Sequence, residues 1–125
     1  MSATVRPLLV FVVDDDVLVA DTVSSVLRSA GFEVKTFYDG SEILPPSVPE
    51  SVPDIIVTDF AMPKCDGAAV TAWVHQKYPT CRIIMISGDV EKVPARLRVP
   101  TPHFTLLRKP VSPVRLIEEV EARTA

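Results

Sequence analysis

Asp14, Asp15, Asp59, Ser87 and Lys109 each stand at the end of a short apolar run: LLVFVVDDD (8–16), DIIVTD (54–59), RIIMISG (82–88) and TLLRKP (105–110). Gathered in one place, three carboxylates, a hydroxyl and an ammonium make a site for a metal ion and a phosphoryl group. Carboxylates packed together repel, and one takes up a proton unless a cation intervenes. Mg2+ suits them, because it prefers oxygen ligands and commonly binds through one or two carboxylates plus a phosphate. Asp15 and Asp59 are the expected direct ligands, with Asp14 acting through water. One carboxylate beside such an ion can attack phosphorus and form an aspartyl phosphate. Asp59, at the centre of the expected edge, is the candidate nucleophile. Lys109 offers a mobile point charge for phosphate oxygens, and Ser87 a hydroxyl that can donate to them. Backbone N–H groups near Phe60 and Ala61 are further expected donors.

The elements that must bring these residues together are legible in the same runs. Continuous Val- and Ile-rich segments of this length suit parallel strands buried on both faces. Five strand–helix steps are expected. Strands fall near 8–13, 32–37, 54–58, 82–86 and 103–107, the second alternating as an edge strand does. The first helix is expected over 17–30, with Val19, Val23, Val26 and Leu27 on one face and Gly31 ending it. The third is expected over 67–77, with Val70, Trp73 and Val74 facing the core. The fifth starts from Ser112 and Pro113 and runs to Arg123, burying Leu116, Ile117 and Val120.

Prolines disturb the other two helices. Of twelve prolines, Pro45, Pro46, Pro49 and Pro53 limit the second helix to about 41–44. Pro94, Pro100 and Pro102 shorten the fourth to about 90–98, so both are expected to be short or irregular. The alternation predicts a doubly wound α/β fold, (βα)5 and flavodoxin-like, with a five-stranded parallel sheet of order 2-1-3-4-5. In such a sheet, ligands bind outside the carboxyl ends of the strands, where the five polar residues would meet.

A chain of 125 residues with 47% hydrophobic and 23% charged residues is one globular domain over 1–125, with enough core to need no disulfide or structural metal. A net charge of −3 lacks the basic excess of a direct nucleic-acid binder. Cys65 and Cys81 form no CxxC or Cys/His cluster, so they are read as packing residues in a reducing compartment. The N-terminal segment is neither a signal peptide nor a membrane span. A cytoplasmic, soluble protein is expected.

VVDDD, DIIVTDFAMPKCDG, IIMISG and LLRKP together closely resemble the four landmarks of bacterial response-regulator receiver domains. Gaps of 44, 28 and 22 residues separate Asp15, Asp59, Ser87 and Lys109, and these also agree. Nearly the whole chain is covered. The resemblance implies that Asp14 and Asp15 form the acidic pair and that Asp59 takes a phosphoryl group from a histidine kinase or histidine phosphotransfer protein. It implies that the Ala61 carbonyl joins Asp15 and Asp59 on Mg2+, that Ser87 and Lys109 hold the phosphoryl oxygens, and that Lys109–Pro110 is cis. It implies a phosphoacceptor that assists its own phosphorylation and dephosphorylation, rather than an enzyme, switching a surface for a downstream protein. Two positions depart from the pattern. Leu106 stands where receivers usually carry Tyr or Phe, and Gly88 where Ala is common. No output module follows the last helix in this sequence, which suits a stand-alone domain or a segment of a hybrid kinase or larger regulator.

Two rivals remain. Asp14-x-Asp16 resembles the opening of haloacid-dehalogenase-type phosphatases, though Leu18 stands where Thr or Val belongs. A pseudo-receiver, an interaction module without phosphate signalling, fits Leu106 and a broken fourth helix. Other residues have plainer expected roles: Asp16 as a helix cap, Asp66-Gly67 as turn and helix entry, Asp89 as a cap of the fourth helix, and Trp73 as packing. His75 and His103 are not expected to be ligands. Arg108 should point away from Lys109, because strand side chains alternate.

Overall fold

The computed structural model describes residues 6–63, 65–98 and 101–122. Five parallel strands form one sheet in the order β2-β1-β3-β4-β5. They are β1 (Leu9–Val13), β2 (Glu33–Phe37), β3 (Ile55–Asp59), β4 (Arg82–Ser87) and β5 (Phe104–Arg108). Every residue of β1, β3 and β4 is buried. In β2 only Val34 is fully buried, as expected for an edge strand.

Three α-helices cover the faces: α1 (Val17–Ser29), α2 (Gly67–Lys77) and α3 (Pro113–Glu121). Successive strand residues point to opposite sides, and two cores result. Phe11, Val13, Ile56 and Met85 pack with Val70 and Val74 of α2. Val10, Val12, Val57 and Ile84 pack with Leu27 of α1 and with Leu116 and Val120 of α3.

Local sequence sets the helix ends. Asp16, Asp66 and Ser112 accept from the amides of Val19, Ala69 and Arg115 at 3.3, 2.9 and 3.1 Å, satisfying orphan donors of the first turns. Pro113 sits at the start of α3. Gly31 leaves α1 with φ 98°, a conformation that favours glycine.

Several expectations are corrected. The short second helix is a single 3-10 turn, Gly40–Glu42, closed by an Asp39–Glu42 capping box ahead of the prolines. The Pro45–Pro46 bond is cis. The fourth helix is irregular, as expected, and holds no α-helical turn. Its segment holds two 3-10 turns, Val90–Lys92 and Ala95–Leu97. Val93, with ψ 132°, is extended between them, because the residue before a proline is pushed out of the helical region. On α1 the buried stripe is Ala20, Ser24 and Leu27, while Val19, Val23 and Val26 are half-buried. Ser24 fits inside because its hydroxyl bonds Thr36 Oγ1 at 2.6 Å. Trp73 and Ile117 are likewise only half-buried. Pro100 and Arg123, the expected end of the last helix, lie outside the described residues, as does Lys64.

Candidate functional site

The carboxyl ends of β1, β3, β4 and β5 deliver the five polar residues to one cleft. Asp14 and Asp15 follow β1 directly, Asp59 ends β3, Ser87 ends β4, and Lys109 follows β5. Strand register enforces the meeting, since Asp59 pairs with Ile86 and Ser87 with Arg108. Asp14, Asp15, Asp59, Ala61, Ser87 and Lys109 all line a cleft of about 490 Å³.

Oxygens of Asp14, Asp15 and Asp59 lie within 4.8 Å of one another. Lys109 Nζ is 2.8 Å from Asp59 Oδ1 and 3.8 Å from Asp14 Oδ2. Asp14 Oδ1 accepts the Asp16 amide at 2.9 Å. Burial pushes the Asp14 carboxyl up, the Asp16 amide opposes this, and the Asp59 charge adds to it. Burial raises Asp59 as well, against the pull of Lys109. For Lys109, burial works against the charge, but the hydrogen bond and charge of Asp59 outweigh it and hold the ammonium above its ordinary value. One ammonium thus leaves the carboxylate cluster under-neutralised. The donor set is all oxygen, and it fits a hard divalent cation.

Ser87 is buried, and its Oγ accepts the Asp89 amide at 3.1 Å, which leaves the hydroxyl proton to donate. The Phe60 amide donates to the Ile86 carbonyl at 3.0 Å. The same amide also faces the Asp59 carboxylate and helps hold its charge. The Lys109–Pro110 bond is cis. Arg108 is exposed and does not line the cleft. Leu106 is half-buried against the core on the α2 side of the sheet.

Asp89 is a second correction. It makes no cap hydrogen bond. Its carboxylate lies 3.9 Å from Lys92 Nζ, and both residues line the cleft. Two further contributors to the site were not expected there from sequence. Lys92 brings a second ammonium to the rim. Gly67 presses on the acidic residue itself: a Cβ there would meet the Asp59 carbonyl oxygen at 2.7 Å and Phe60 Cα at 2.8 Å. The Asp-Gly pair at the start of α2 was its one local signal.

The fold and this cleft define a doubly wound α/β protein with an acidic, lysine-bearing edge at its topological switch point. Residues 10–121 match the response regulator receiver domain. The chain belongs to that family, whose members serve two-component signal transduction. Among its relatives, the DNA-binding response regulator MtrA of Mycolicibacterium smegmatis is 31% identical over 91% of this chain and 49% of that protein. The DNA-binding transcriptional regulator NtrC of Escherichia coli is 29% identical over 82% of this chain and 22% of that protein. The chain therefore spans half or less of these two relatives. Among solved structures, a response regulator receiver protein from Sinorhizobium medicae superposes with a TM-score of 0.83 at 25% identity, covering 96% of both chains. The chemotaxis response regulator CheY4 of Vibrio cholerae gives 0.79 at 28% identity, covering 94% of this chain and 99% of that one.

Proposed function

We propose that Asp59 is the phosphoacceptor of this receiver domain, charged by a histidine kinase or a histidine phosphotransfer protein. The observation that carries the assignment is the 2.8 Å contact between Lys109 Nζ and Asp59 Oδ1 within a cluster of three carboxylates. Asp59 supplies the attacking oxygen. Lys109 is placed to follow the charge from the carboxylate onto the phosphoryl oxygens. The Ser87 hydroxyl donates to the same group. Transfer of this kind rests on positioning and charge stabilisation more than on further covalent chemistry.

Asp14, Asp15, Asp59 and the Ala61 carbonyl would hold Mg2+. When bound, the ion offsets the carboxylate repulsion and draws charge from the phosphoryl oxygens. An apolar groove of about 400 Å³ runs from Asp14 and Lys109 along Leu18, Val19 and Val111. Leu18 stands 76% exposed beside it. A protein donor would rest there, with its phosphohistidine toward Asp59. Phosphorylation then shifts an existing equilibrium between surface arrangements read by a downstream protein. The domain acts as a switch rather than as a turnover enzyme, with no nucleic-acid contact of its own, in the cytoplasm. Among the described residues no helix is long and apolar enough to cross a membrane.

Incubation with acetyl phosphate and Mg2+, followed by intact-mass measurement, tests the assignment. A single phosphoryl adduct is expected on the wild-type chain and none on Asp59→Asn. An undiminished adduct on that variant, or none on the wild type, would overturn it.

A further inference from the structure

Lys92 is the second ammonium of the acidic cleft, and it is held there loosely. Five carboxylates line the cleft, from Asp14, Asp15, Asp16, Asp59 and Asp89, against the ammoniums of Lys92 and Lys109. Lys109 is engaged, with its Nζ 2.8 Å from Asp59 and 3.8 Å from Asp14. Among the described residues, Lys92 Nζ pairs with the Asp89 carboxylate alone, at 3.9 Å, too long for a hydrogen bond. The two side chains are 78% and 48% exposed, and an ion pair so open to water contributes little.

The backbone of Lys92 is fixed by contrast. Its amide donates to the Asp89 carbonyl at 3.1 Å, and the Asp89 amide donates to Ser87 Oγ at 3.1 Å. On either side of Lys92, the Glu91 and Val93 carbonyls accept from the Arg98 guanidinium at 3.0 and 2.8 Å. Val93 is buried in the core. The turn Val90–Lys92 is thus anchored at both ends, and it carries a flexible four-carbon arm on the cleft wall. Such an arm can change partner while the fold stays still. A phosphoryl group entering the cleft brings a charge of about −1.5 to −2 and three acceptor oxygens. Beside the buried Asp59 and Ser87, that charge attracts an ammonium more strongly than one exposed carboxylate does.

We propose that Lys92 is a phosphate-binding residue: its ammonium leaves Asp89 and pairs with oxygens of the incoming phosphoryl group, while Lys109 stays at the acceptor. The inference rests on Asp59 as that acceptor. Lys92 takes no part in bond making. Asp59 attacks phosphorus, the bond from phosphorus to the leaving group breaks, and the leaving group departs with the electron pair.

The rate of adduct formation from acetyl phosphate and Mg2+, read by intact mass at low and high salt, tests this on the whole chain. Lys92→Met should lower the second-order rate constant about fivefold at low salt, the size of one exposed charge contact. The deficit should shrink at high salt, and Lys92→Arg should restore most of the rate. Arg96→Met removes an equal charge from the next 3-10 turn, outside the cleft lining, and should leave the rate unchanged. In an Asp89→Asn background, Lys92→Met should slow the reaction by the same factor, because the ammonium acts on phosphate and not by masking Asp89. Equal rates for Lys92→Met and wild type would overturn the inference and leave Asp59 as acceptor. So would an equal deficit in Arg96→Met, a deficit that arginine or high salt leaves untouched, or one that vanishes in the Asp89→Asn background. No adduct on the wild type, or an undiminished one on Asp59→Asn, would overturn the acceptor assignment and this inference with it.

Discussion

At the scale of single residues, the acidic cluster holds more negative charge than Lys109 can offset. Asp14 and Asp59 both carry raised carboxyl pKa values, burial being the first cause of each. A raised folded-state value means stability that is full below the unfolded carboxyl value of 3.8 and is lost as pH rises through the folded values. Without divalent cation, the chain should therefore lose stability as pH climbs above about 4. Asp14→Asn keeps the acceptor for the Asp16 amide and removes one charge. It should stabilise the cation-free chain at pH 7 by on the order of 1 kcal/mol and reduce the gain in Tm on adding Mg2+. Thermal unfolding with and without Mg2+ checks both. The two thiols should also separate. Cys81 is 3% exposed, and burial pushes its thiol up to about 12, whereas Cys65 is only partly buried. A thiol-reactive chromophore should titrate Cys65 in the native protein and Cys81 only after unfolding.

At the scale of elements, α2 and β3 are locked together beside Asp59. The Gly67 amide donates to the Phe60 carbonyl at 2.7 Å, and there is no space for a Cβ beside Asp59. Gly67→Ala should cost about 2 kcal/mol through overpacking. It should also slow phosphorylation by acetyl phosphate, because the obstruction lies against the backbone that aims Asp59. Chemical denaturation and the rate of adduct formation measure the two effects separately. The same element shows how far helical patterning can be read. Val70 and Val74 were legible as core residues and are fully buried. The inward placement of Thr71 was not legible, because a hydroxyl at that spacing signals nothing until the facing turns are known.

Across the whole molecule, one charged pair ties the last helix to the sheet. Arg82 begins β4 and is 6% exposed; Glu119 of α3 is 7% exposed. Their charged groups lie 3.5 Å apart, Arg82 also reaches the Glu119 carbonyl at 3.4 Å, and Arg115 meets Glu119 at 2.9 Å. Glu119→Ala would remove a counter-charge from the buried Arg82. A loss of about 3 kcal/mol is expected, seen as a lower urea midpoint with an unchanged slope. No pattern in EEVEAR marks Glu119 as the buried member, since its partner is 37 residues away.

The sequence by itself determined the strands, their order and the polar residue at each end. Apolar runs reflect burial on both faces, and the switch point of a parallel sheet gathers their carboxyl ends. It also determined the caps at Asp16, Asp66 and Ser112, because a cap engages an amide within one turn. The tertiary structure alone decided how Lys109 divides itself between Asp59 and Asp14, which polar residues of the helices are buried, and what the prolines of the fourth helical segment leave behind. Each of these depends on groups distant in sequence, brought within a few ångströms by packing. A proline announces that a helix stops, but only the packed fold shows what takes its place.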